Sequence, residues 1–161
     1  MADQSLRFRL PGAAWSLEIP SDSLSVLKKH AQCGWMKREV VGQLYALDLT
    51  KEVVVVDMVT KLPAQWSAFA GVGFDLRDAE AERERLFEQG LHCLGFWHTH
   101  PEPIPYPSGT DLQMAADHAN ASKSLFTGLL FLIVGKAPFP QGLGVWLHDG
   151  HQALRAAPEE L

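Results

Sequence analysis

The run "LFTGLLFLIVG", residues 125–135, constrains this chain more than any other feature. It is about the length of a buried strand and too short to span a bilayer. A second apolar run, "LHCLGFWHTH" at residues 91–100, reads as another buried strand. Strands of this kind need helices or further strands over them, and the rest of the chain supplies both. "SDSLSVLKKHAQ" opens with helix-capping residues, spaces Leu24, Leu27 and Ala31 helically, and stops at Gly34. A second helix is expected from about Leu76 to Gln89, ending at Gly90, and a third from about Gly109 to Ser122. "LRFRL" and "AWSLEIP" alternate and predict a hairpin around Pro11-Gly12. "EVVGQLYALDL" and "EVVVVDMVT" predict a second hairpin across Thr50-Lys51, and "LGVWLHD" closes the chain as a strand. The segment from Pro63 to Phe74 reads as irregular. The pattern is α/β: a mixed β-sheet flanked by helices, in one domain over residues 1–161, and not a regular βαβ repeat.

Several function classes drop out early. The net charge of -5 argues against a nucleic-acid binder, which would show a basic face. The start, "MADQSLRFRL", lacks the apolar core of a signal peptide, and no run is long enough for a membrane span. Cys33 and Cys93 are the only cysteines and form no CxxC, so neither a disulfide framework nor a cysteine zinc site is expected. Both read as small buried hydrophobes, and a reducing cytoplasm fits. Oligomeric state has no signal in the sequence.

The chemistry concentrates in "GFWHTHPEPIPYPSGTDL", residues 95–112. Residues two apart on a strand share a side, so His98 and His100 present both imidazoles to one point. Pro101 then ends the ladder. Alone, such a pair also fits two exposed histidines at a strand end. Ser108 and Asp111 read as a helix N-terminal signature, with Ser108 as cap and Asp111 three residues on. A seven-residue loop can return that helix beside the strand it has just left, bringing a carboxylate to the imidazoles. Two histidines and an aspartate leave one tetrahedral position open, as catalytic zinc sites do. With this composition, H-x-H-x7-S-x2-D is expected by chance on the order of one time in a thousand.

That motif resembles the signature of the JAMM (MPN+) metalloprotease family, whose members cleave peptide and isopeptide bonds after ubiquitin-like proteins. The family pattern includes an upstream glutamate near a glycine, which "REVVGQL" matches at Glu39. The resemblance implies an MPN/JAB fold, similar to cytidine deaminases in architecture. It implies Zn2+ held by His98, His100 and Asp111. Glu39 would hold and deprotonate the zinc water and pass its proton to the leaving amine. Ser108 would donate to the oxyanion. On the residues alone, Glu39 is equally a surface strand glutamate paired with Arg38.

Trp66 and Phe69 lie where burial is not assured and are candidates to line a substrate groove. In the resembling enzymes this region helps hold the extended C-terminal tail of the modifier. The implied partner is the C-terminal tail of a ubiquitin-like or conjugated protein. Small deconjugases of antiphage CBASS systems, which act on a nucleotidyltransferase joined to a target, are similar in size and compactness. The alternatives are a peptidase trimming a sulfur-carrier protein or its cysteine adduct, and a non-catalytic MPN binding module. A deaminase would need a cysteine ligand pair, which the chain lacks. His30, His92, His118, His148 and His151 match no ligand spacing, and Trp15, Trp35, Trp97 and Trp146 read as core.

Overall fold

The computed structural model describes residues 4–31, 38–67, 71–121 and 128–160. Strands β1 (Leu6–Arg9) and β2 (Ser16–Ile19) form the expected first hairpin. Helix α1 (Ser21–Lys29) follows, then β3 (Val41–Ala46), β4 (Val53–Val55) and β5 (Met58–Val59). A short hairpin, β6 (Ala64–Ser67) and β7 (Gly71–Phe74), leads into α2 (Leu76–Phe87). The second half is β8 (His92–Thr99), α3 (Gly109–Ala121), β9 (Leu129–Val134), β10 (Leu143–His148), β11 (Ala153–Arg155) and β12 (Ala157–Pro158).

Six strands make the main sheet in the order β11-β10-β9-β8-β3-β5, and a four-stranded sheet runs β12-β1-β2-β4. Both apolar runs lie at the centre of the main sheet, where β8 and β9 pair in parallel across α3. All six residues of β9 are buried. Alternate ones point to opposite cores: Leu130, Leu132 and Val134 meet the four-stranded sheet and α1, while Leu129, Phe131 and Ile133 meet α3. A strand covered on both faces has no polar side, which is why its sequence does not alternate. α2 packs on β8, and α3 on β9 and β10.

Three expectations need correction. The run "EVVVVDMVT" does not pair as one strand with β3. Its β4 half joins β2 in parallel, and only β5 pairs with β3. Consecutive valines satisfy either face, so the chain can cross between sheets within this run. Pro63–Phe74 is not irregular but holds the β6–β7 hairpin. Helix α1 begins after Pro20 with no side-chain cap, so Ser21 starts the helix without capping it, and α1 ends at Lys29, before the expected Gly34.

Two glycines shape the strands that carry the site. Gly95 has φ 151° where the β3–β8 register shifts, and a Cβ there would overlap the Leu130 carbonyl. Gly42 lies under the hydrogen bond from Trp97 Nε1 to the Thr60 carbonyl (2.8 Å), and any side chain would strike both partners. Trp97 and Trp146 are core as expected; Trp15 is half-buried against it, and Trp35 and Cys33 lie outside the described residues. Cys93 is only partly buried, with Sγ 3.5 Å from the Gly95 carbonyl.

Candidate metal centre

β8 delivers His98 at its end and His100 one residue beyond it. His100 is held in line by its N–H, which donates to the Val134 carbonyl at 2.9 Å. The following loop is pinned to the end of β9 by Lys136 and Ala137, whose N–H groups donate to the Glu102 and Pro103 carbonyls at 3.0 and 2.9 Å. It returns the chain to α3. There the Asp111 N–H donates to Ser108 Oγ at 3.1 Å, and the Ser108 N–H donates to Asp111 Oδ2 at 2.8 Å. This is a capping box with aspartate in the place of glutamate, and it fixes the carboxylate that the imidazoles meet.

The three side chains converge. His98 Nε2 lies 3.0 Å from His100 Nε2, and each has an Asp111 oxygen at 3.1 Å. His98 and Asp111 are 2% and 8% exposed. Ligand atoms around tetrahedral zinc stand about 3.3 Å apart, given zinc–nitrogen bonds of about 2.0–2.1 Å. Two imidazole nitrogens facing each other cannot both carry protons comfortably, whereas a cation between them accepts both lone pairs and the carboxylate. The donor set therefore fits a metal ion with one further position open. Among the described residues, this is the one group of three or more His, Cys, Asp or Glu side chains arranged to hold a metal.

Electrostatics run the same way. Burial would raise the Asp111 carboxyl, but hydrogen bonds from His100 and His98 outweigh it and hold the group well below the usual carboxylate range. Burial would lower His100. The hydrogen bond and charge of Asp111, with the charges of Glu102 and Glu39, raise it above the ordinary histidine value of 6.5. Glu102 Oε2 stands 3.4 Å from His100 Nδ1 and steadies the ring from behind. His98 Nδ1 is buried without a partner among the described residues.

Glu39 precedes β3 and does not sit within it; it is half-buried. Its charge contributes to the raised His100. Thr99, which the sequence reading passed over, sets its position. The Val40 N–H donates to Thr99 Oγ1 at 2.9 Å, and the Thr99 N–H donates to the Val40 carbonyl at 3.0 Å. The residue after the glutamate is thus clamped to the residue between the two histidines. Ser108 is exposed, and its own hydrogen has no partner among the described residues. Trp66 lies on β6 opposite Val72, in a hairpin whose base reaches Val41 through Leu62, and Val41 faces His98. Phe69 lies outside the described residues.

A model of the family described as prokaryotic homologues of the JAB domain matches residues 20–146. No curated protein matches the chain. A protein from Desulfitobacterium hafniense, solved in solution, superposes with a TM-score of 0.61 at 19% identity over 88% of both chains. One from Salinibacter ruber gives a TM-score of 0.53 at 22% identity, covering 89% of this chain and 88% of its own.

Proposed function

The chain belongs to the family of prokaryotic homologues of the JAB domain, and from that membership and its metal centre we propose a zinc-dependent peptidase that cuts after the C-terminal tail of a ubiquitin-like or conjugated protein. The observation that carries the reading is the convergence of His98, His100 and Asp111 to within 3.1 Å of one another. Zinc, when bound by these three residues, supplies a Lewis acid that makes water nucleophilic near neutral pH and polarises the scissile carbonyl.

The remaining work falls to the chain. Glu39, steadied through the Val40–Thr99 clamp, takes the proton from the attacking water and returns it to the leaving amine nitrogen. Ser108 Oγ already accepts the Asp111 N–H, so its free hydrogen donates to the oxyanion as the carbonyl becomes tetrahedral. Such a donor is typically worth about 2.7–4 kcal/mol of barrier. The β6–β7 hairpin, based beside Val41, offers the edge along which an extended tail can lie, with Trp66 limiting how bulky that tail is. The presence of Glu39 and Ser108 beside the triad favours catalysis over a purely binding role.

The test uses zinc-loaded protein and a fusion of a ubiquitin-like domain to a reporter, with the cut read by intact mass. Cleavage directly after the modifier's last residue, abolished by Glu39→Gln with zinc retained, is expected. Cutting within the modifier, or equal cutting of unfolded chains, would make it a general protease. No cutting of any tail would leave a binding module.

A further inference from the structure

Beyond α3, over the outer strands of the main sheet, a groove of about 560 Å³ opens between the helix and β11. Its floor is Trp146, His148 and Arg155, and its wall is Tyr106, Pro107 and Leu112. The register builds the floor: Arg155 pairs with Trp146 and Ala153 with His148, and paired residues share a face. α3 buries Ala115 and Ala119 in the core, with Leu112 and Met114 partly buried against it.

The groove's polarity is one-sided. The chain carries a net charge of -5, yet among the described residues no aspartate or glutamate lines this groove, while Arg155, His148 and His151 do. Arg155 lies over Trp146 at 5.4 Å from the ring centroid, and Tyr106 meets the same ring edge-on at 6.2 Å. His148 is only 5% exposed, and its Nδ1 accepts the Gly150 N–H at 3.0 Å. That bond leaves the ring proton on Nε2, for which no described residue provides an acceptor. Asp149, in the turn beside the groove, is engaged by the His151 and Gln152 N–H groups, both at 2.8 Å. β11 is also the last strand of its sheet, and among the described residues its outer backbone edge has no partner strand.

We propose that this groove holds an acidic stretch of the target polypeptide, extended along β11, on the amine side of the bond that is cut. The inference rests on the peptidase reading above. The placement follows from sheet order. β8 and its histidines lie between β3–β5, where the hairpin proposed for the modifier tail is rooted, and β9–β10–β11 on the other flank. A tail arriving from the first flank leaves the second for the other half of the substrate. Pro107 and Leu112, which line the groove, immediately flank the segment from Ser108 to Asp111. Backbone pairing to β11 would supply affinity, and the Arg155 guanidinium would select acidic side chains.

The test is fluorescence anisotropy with a labelled glutamate-rich octapeptide and its lysine-rich counterpart, on the zinc-loaded protein. The acidic peptide should bind at least tenfold more tightly, and added salt should weaken it. Arg155→Glu or Gln152→Glu, both at exposed positions, should each cost at least tenfold, with Arg155→Lys retaining most of the affinity and zinc content unchanged in all three. On fusions with an acidic segment after the cut, Arg155→Glu should raise KM at least fivefold and leave kcat alone. Equal binding of the two peptides, or a KM indifferent to Arg155→Glu, would overturn the groove and leave the peptidase reading standing. Selective acidic-peptide binding by a chain that cuts no fusion would overturn the peptidase reading and keep the groove as an acidic-peptide site.

Discussion

Both oxygens of Asp111 are engaged: Oδ1 meets His98, while Oδ2 meets His100 and also accepts the Ser108 N–H. The residue is at once a candidate metal ligand and half of a helix cap, and substitutions separate the two. Asp111→Asn keeps an acceptor for the cap but loses the charge, so zinc content should fall sharply with little change in a urea melt of the metal-free protein. Asp111→Ala should lose both, with about 1 kcal/mol of stability gone from the cap. Full zinc in both variants by elemental analysis would move the metal elsewhere. Thr99 is the subtler residue. Thr99→Val leaves the half-buried Val40 N–H without its acceptor, a loss of about 1 kcal/mol, and releases Glu39 from its place. Turnover should drop roughly tenfold or more with zinc retained, and Thr99→Ser should restore it; an active Thr99→Val enzyme would show that the clamp does not position Glu39. These two residues also mark what a sequence discloses about a site. His98, His100, Ser108 and Asp111 are legible because spacing along one strand and one helix turn brings them together. Glu39 needed the family resemblance, since one glutamate at a strand entrance has no periodicity. Thr99 acts on backbone groups across two strands, and no local pattern signals that.

At the scale of elements, the long ones were legible and the short ones were not. β8, β9 and α2 declare themselves by apolar runs or helical period. β11 and β12 are three and two residues long and went unseen, because their position comes from the strands beside them. β12 is held by such neighbours. The Glu159 N–H donates to the Arg7 carbonyl at 2.8 Å, and its carboxylate accepts from Arg9 Nε at 2.6 Å and Ser16 Oγ at 2.9 Å. Those side-chain bonds hold the Glu159 carboxyl below its ordinary 4.5. A group whose folded value is lowered stabilises above the unfolded value, and that contribution disappears as pH falls through the folded one. The β1–β12 contact should therefore loosen first on acidification. Hydrogen exchange at Leu6–Arg9, corrected for intrinsic rates, should quicken as pH falls below the ordinary 4.5 of this carboxyl, and Glu159→Gln should remove that dependence. Protection in the wild type that stays flat below that pH would mean the strand pair alone holds the terminus.

For the molecule as a whole, an ion at the triad would add a second tie between a strand and a helix that already share a core. His98 and His100 sit at the end of a central strand, and Asp111 opens the helix that covers the two strands beyond it. An ion bound to all three ties the main sheet to one of its helices, and the unfolded chain has no such site. Binding to the folded state alone stabilises by about 2.7 kcal/mol when free ligand is a hundredfold above Kd. For a domain of this size each kcal/mol is worth roughly 2–4 °C in Tm, so zinc at that excess should raise Tm by about 5–11 °C. A chelator should reverse the gain. His98→Ala should unfold at the same temperature with or without zinc, whereas Glu39→Gln, which removes no proposed ligand, should respond as the wild type does. Scanning calorimetry of the three proteins, each with zinc and with chelator, separates these cases. A wild type indifferent to zinc would mean the triad does not bind it tightly. A His98→Ala variant that still gains stability would place the stabilising ion outside the triad.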